Sequence, residues 1–185
     1  RLLDRQPGTA LEALDESVAP GLDPQLALQR KRLRARSVFE LGDSETALKL
    51  INADKERDAD LLRADIFWRT RNWVSAGKVF ERLLGNDGQD GRRINDLSAT
   101  LILNWVVALS MSEQGEALNK VRQIYSLQMD MTQYREAFRL ITNKTDGDIQ
   151  DFRTLTDRFK EIGRFQAFLT TYREKLKTKL LSEMN

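Results

Sequence analysis

The chain of 185 residues contains no cysteine and no histidine. The first absence excludes disulfide scaffolds, cysteine zinc sites and thiol nucleophiles. The second removes the commonest general base and the commonest metal ligand, so neither a Ser-His-Asp nor a Cys-His mechanism can be assembled. Proline is scarce, with three residues, so long helices can run without interruption. A one-sided charge is lacking too: 30 basic residues face 28 acidic ones, for a net charge of +2. Nucleic-acid-binding domains carry a larger basic excess, so DNA or RNA is not the expected partner. The longest apolar run, residues 101–109, includes Asn104 and is far short of the roughly 20 residues that span a bilayer. Membrane insertion is not expected, and no secretory signal pattern opens the sequence. Glycine-rich phosphate loops of the Walker or Rossmann type are absent.

What remains is rich in Leu, Ala, Arg and Glu, which favour helix. Thr9-Ala10-Leu11-Glu12 has capping-box spacing and predicts a first short helix over 9–17. Asp23-Pro24 pairs an N-cap residue with proline at the first helical position, and a long helix follows to about Leu41. Gly42 stops it, and Asp43 or Ser44 starts the next, to about Ala53. Further helices are predicted over 58–70, from Asn72 to Leu84, and over 96–111, 114–129, 133–141, 149–162 and 165–181. Residues 85–91 hold three glycines in seven and read as a loop, not as a domain boundary.

Shifting the chain by 29 residues superimposes Leu33-Arg34-Ala35 on Leu62-Arg63-Ala64. It also places Val38 on Phe67, Ala47 on Ala76, Lys49 on Lys78, Leu50 on Val79 and Ile51 on Phe80. A small residue in each of two antiparallel helices lets them approach where they cross, and bulky neighbours fill the space beside. One such hairpin cannot bury its own apolar face, so hairpins stack in series.

This pattern resembles the tetratricopeptide repeat (TPR). Ala64, Phe67, Trp73, Ala76 and Phe80 match its places well; Ala35, Val38, Ala47 and Ile51 match less well. Trp105, Ala108, Ala117 and Val121 fit loosely, and Gly163, Phe165, Phe168 and Tyr172 fit a last, degenerate unit. The spacing of 29 is shorter than the usual ~34. The resemblance implies an all-α fold, a right-handed superhelix of stacked helix pairs over residues 1–185 as one domain. The first helix looks like the second half of a truncated repeat, which implies more solenoid ahead of Arg1. The end of the chain, with Phe165 to Phe168, Tyr172-Arg173-Glu174-Lys175-Leu176 and Asn185, is similar to the closing segment of long bacterial tetratricopeptide proteins. That implies a periplasmic or cell-envelope location; a cytoplasmic one is the alternative.

The densest basic run is Arg30-Lys31-Arg32-Leu33-Arg34-Ala35-Arg36. Two readings are open. Arginine forks match carboxylates and phosphates, so the run can clamp such a group. Alternatively it is a solvated face neutralised by acidic residues between Asp54 and Asp60. With Ala35 at the small position, the resemblance puts Arg32, Arg36 and Phe39 toward the concave groove. The next unit contributes Leu61, Asp65 and Trp68, with Arg69 beside them. Trp68 follows Phe67, so one of the two faces outward; an exposed tryptophan is a binding anchor. Trp73 and Trp105 are expected in the core. Asp87, Asp90, Asp146, Asp148 and Asp151 do not fit calcium-loop spacing and are expected to form turns and caps. Met129 and Met131 are expected as loose core contacts rather than a binding surface.

The expected function is therefore a non-catalytic interaction or scaffolding module. It binds a protein or peptide through the groove residues Arg32, Arg36, Phe39, Asp65, Trp68 and Arg69, and needs no cofactor or metal. One rival is a helical enzyme acting on cell-wall glycan, with Glu40, Glu81 or Glu136 as acid. Another is self-association through an exposed N-terminal repeat face.

Overall fold

A computed structural model describes residues 6–17 and 21–143. The described residues belong to one compact unit that ends at Asn143. Among them every regular element is a helix: α1 (Pro7–Glu16), α2 (Pro24–Glu40), α3 (Ser44–Leu50), α4 (Arg57–Arg69), α5 (Trp73–Leu84), α6 (Asp96–Met111), α7 (Gly115–Met129) and α8 (Arg135–Thr142). The helices expected over 149–162 and 165–181 lie outside the described residues, as does the last repeat unit.

Local chemistry explains the starts. Asp23 accepts from the amides of Gln25 (2.7 Å) and Leu26 (3.3 Å), with Pro24 at the first helical position. Asp43 caps α3 through the Thr46 amide, Asn72 caps α5 through Ser75, and Asn95 caps α6 through Ser98. Helix α1 starts two residues before the expected Thr9, because Pro7 takes a first-turn place where its missing N–H costs nothing. Thr9 instead donates to the Gln6 carbonyl at 2.9 Å. Helix α3 ends at Leu50, ahead of the expected Ala53.

Three turns share one construction. After α2, Gly42 (φ +100°) donates to the Phe39 carbonyl and Asp43 donates to Val38. After α4, Arg71 (φ +58°) donates to Trp68 and Asn72 to Phe67. After α6, Glu113 (φ +57°) donates to Ser110 and Gln114 to Leu109. Each is a Schellman turn with one left-handed residue. Positions 42 and 71 are 29 apart, which is the sequence offset; Glu113 lies 42 beyond Arg71. The extra residues are spread over the longer helices α5 and α6 and the longer glycine-bearing loop between them. In this register Val106 and Leu109 occupy the places of Ala64 and Phe67, one residue away from the expected Trp105 and Ala108.

Sequential helices pack on one another, and α2 also reaches α4, as α6 reaches α8. The superimposed positions Ala35 and Ala64, Ala47 and Ala76, and Ile51 and Phe80 are all buried. Helix α5 packs extensively on α6. A methyl group placed on Gly77 would lie 3.8 Å from Ala108 Cβ and 3.9 Å from Trp105. The glycine loop is docked, not loose. Gln128 of α7 donates to the Gly88 carbonyl at 2.7 Å in a buried bond. Asp90 accepts from the Arg92 amide two residues on and so forms a turn, whereas Asp87 accepts from the Ser98 hydroxyl and ties the loop to α6.

Candidate functional site: the seam between α2 and α4

Helical spacing sends the arginines of α2 in different directions, and each is engaged inside the chain. Arg30 donates to the Leu14 carbonyl (2.5 Å) and to Ser17 (3.0 Å), and Arg34 pairs with Asp15; both tie α2 to α1 and the residue after it. Arg32 points the other way. Its Nε donates to Asp54 Oδ2 at 2.6 Å and its terminal nitrogen to Oδ1 at 3.0 Å, with Asp58 at 3.5 Å.

Asp54 is buried, which raises its pKa, but the hydrogen bonds from Arg32 and from the Glu56 amide outweigh that and leave it below the ordinary aspartate value. The acidic residues after α3 therefore do neutralise Arg32. Its side chain is only 14% exposed, so the expectation that it faces an open groove is corrected.

Phe39 also departs from expectation. It is buried, at 6% exposure, and Arg69 of α4 lies over its ring at 4.4 Å. Arg69 also pairs with Glu40 at 2.8 Å. Phe39, Glu40 and Arg69 thus form a clasp between the C-terminal ends of α2 and α4, where a guanidinium gains from both a carboxylate and an aromatic face.

Asp65 is buried; Arg36 and Trp68 are half-buried; all three are engaged in contacts within the chain. Trp68 meets Trp73 edge-on at 5.1 Å and Phe80 at 5.8 Å. Phe67 and Trp68 are both half-buried, so neither ring faces fully outward. Trp73 and Trp105, expected in the core, are half-buried, with Trp105 edge-on to buried Tyr125 at 6.4 Å. Met129 is fully buried, whereas Met131 is exposed.

A second set of charges was not legible as a site. Asp60 of α4 accepts from Arg82 Nε (2.7 Å) and Nη2 (2.8 Å) and from Arg63 (2.7 Å). Burial raises the Asp60 pKa, and the two arginines more than reverse that. Arg63 also donates to the carbonyls of Ile51, Asn52 (3.3 Å) and Asp54 (2.6 Å). Arg57 closes the end of α5 through the Leu83 carbonyl at 2.7 Å. The helix C-termini are thus capped by arginines from the neighbouring helix, a favourable place for cations.

Of the three glutamates considered as acids, Glu40 is held by Arg69, while Glu81 and Glu136 are exposed. Among the described residues no group of three or more Asp and Glu side chains is arranged to hold a metal ion, and no helix is long and apolar enough to cross a membrane. A cleft of about 320 Å³ lies between α7 and α8, lined by Arg122, Ser126, Asp130, Phe138 and Arg139 among others. Asp130 and Arg139 are committed to each other there at 2.7 and 2.8 Å.

No known protein family matches the chain, and neither a curated protein nor a solved structure matches it.

Proposed function

We propose that the helix pairs form a degenerate tetratricopeptide-like right-handed solenoid, and that the chain is a non-catalytic interaction module. The observation that carries the reading is the threefold turn at Gly42, Arg71 and Glu113, each with the same pair of backbone hydrogen bonds. Recurring turns are what stacked hairpins require, and the first two carry buried alanines at equivalent places on either side, 35 and 64, and 47 and 76.

Fold alone gives no function; the residues at the seam supply the rest. Arg36, Trp68 and Arg69 are half-exposed or exposed at the contact of α2 and α4, and each is already held by neighbours. Pre-ordered arginine and tryptophan side chains are favoured anchors for a protein partner. The partner is a protein or peptide laid along α2 and α4, with Asp65 beneath. Arg32 and Phe39 act from below, as supports. No cofactor enters this reading, and the compartment we propose is the periplasm or cell envelope.

Affinity capture from native bacterial extract tests it. The bait is the whole chain, beside Arg36→Glu with Trp68→Ala, and beside Arg92→Glu on the distant loop. A protein retained by wild type and by Arg92→Glu but lost by the seam double variant is the expected result. Retention by all three baits refutes the seam as the binding face.

A further inference from the structure

The apolar core has a dividing line at α4. One stripe of that helix, Ala59, Leu62 and Ile66, closes a cluster with Ala35 and Phe39 of α2, Ala47 of α3 and Ile51. Three of those seven residues are alanine, which buries little area and so gives a weak hydrophobic contribution. The opposite side of α4 is fastened to α5 by the Asp60–Arg82 fork and by Trp68 against Trp73 and Phe80.

The backbones of α2 and α3 approach α4 over a short stretch, whereas α5 lies along α6 with Gly77 near Ala108. Two arginines of α4 bridge the thin side. Arg63 holds the carbonyls that follow α3, and Arg69 holds Glu40 and the Phe39 ring. The Arg32–Asp54 fork stays within the first block, because Asp54 follows α3 directly; Arg32 also reaches the exposed Asp58 at the start of α4 at 3.5 Å, a longer and more solvated contact. Helix α1, tied to α2 by Arg30 and Arg34, belongs to the same block.

We infer that the seam between α3 and α4 is an opening joint, with Arg63 and Arg69 as its main clasps. The block α1–α3 swings or unfolds from α4 as one unit while α4–α7 stay folded. Opening uncovers Leu62 and Ile66, an apolar stripe hidden in the closed form. Proteins open in such cooperative units where apolar contacts are few. Charge-assisted hydrogen bonds suit a clasp, since they are strong when made and lost over a small displacement.

Hydrogen exchange followed by mass spectrometry, on the full chain, tests the joint in wild type, Arg63→Met and Arg69→Met. In wild type, residues 24–53 should exchange together at least tenfold faster than residues 97–129, a difference of about 1.4 kcal/mol in opening free energy. Arg69→Met should speed residues 24–53 at least fivefold further and leave 97–129 within twofold; Arg63→Met should do so more strongly. Equal exchange of the two regions in wild type overturns the inference. So does an Arg69→Met effect spread evenly along the chain, or none at all. If circular dichroism shows Arg63→Met unfolded throughout, the same criteria apply to Arg69→Met alone.

Discussion

Asp60 is the charge on which two arginines converge, and Asp60→Asn gives the sharpest energetic prediction. The carboxylate is buried and accepts three hydrogen bonds between 2.7 and 2.8 Å. An asparagine keeps the shape but offers one acceptor atom and no charge. Arg63 has a side chain only 12% exposed, so it keeps a buried charge with carbonyls as its remaining partners. Removing one member of a buried pair costs about 3–5 kcal/mol. Arg82 is half-exposed and returns to water at little cost. The expected loss at pH 7 is therefore about 2–3 kcal/mol, below the fully buried case because one partner is solvated. For a chain of this size that is about 5–10 °C in Tm.

The pH dependence carries its own sign. The folded-state pKa of Asp60 is lowered by its arginines, so its contribution is fully present above the unfolded value of about 3.9. It is lost as pH falls through the folded value. Urea unfolding followed by tryptophan fluorescence at pH 7, 5 and 3 should show the wild-type advantage equal at the first two and smaller at the third. A loss under about 1 kcal/mol at pH 7, or an advantage that grows toward pH 3, would refute the reasoning, since breaking a buried ion pair should exceed the former.

Gly88→Ala should destabilise by roughly 2 kcal/mol. Its φ is +75°, and the added methyl would meet Ile94 Cγ2 at 2.5 Å and Tyr125 at 3.3 Å; strain and overpacking add there. Gly77→Ala should do the reverse, gaining up to about 1 kcal/mol, because a helix-interior glycine is unfavourable and its methyl meets neighbours at ordinary contact. Chemical denaturation of the two variants side by side checks both signs. Arg71→Gly and Glu113→Gly should each be neutral or stabilising by about 0.5 kcal/mol, since the relief of a left-handed residue exceeds the entropy glycine adds. Gly42→Ala should cost about 1 kcal/mol by the same argument.

The helix starts were open to reading because their chemistry is local. Asp23-Pro24, Asp43 and Asn72 satisfy their own amides within three residues, so no distant partner is needed. The alanine pairs at 35 and 64, and at 47 and 76, were legible because they recur at one offset with bulky residues at fixed spacing, and all four are buried. The register of the third unit was not, because Val106 stands where the first two units have alanine. Its turn uses Glu113 where the first uses Gly42, and a left-handed glutamate leaves no mark in sequence.

The candidate site was half legible. The tetratricopeptide resemblance put Phe39 and Arg32 on one side of α2, but it could not show that α4 would bring Arg69 over the ring, or that Asp54 would turn back onto Arg32. Those contacts join residues 22 to 30 positions apart. They depend on how the pairs stack, which no single helix encodes. The acidic stretch after α3 was the one available signal, and it pointed to neutralisation. The docking of the glycine loop was invisible for the same reason: Gln128 lies 40 residues from Gly88.

The repeat itself is tested most directly by lengthening it. Because Gly42 and Arg71 hold the same place in successive turns, a second copy of residues 43–71 inserted after Arg71 adds one more pair of helices and one more turn in register. The account predicts a folded protein whose helical circular dichroism rises in proportion to the added residues, whose unfolding remains cooperative, and whose inserted segment is cut by trypsin no faster than the original residues 43–71. An insert that is cleaved at once, or that unfolds the chain, would contradict the equivalence of the turns and with it the solenoid.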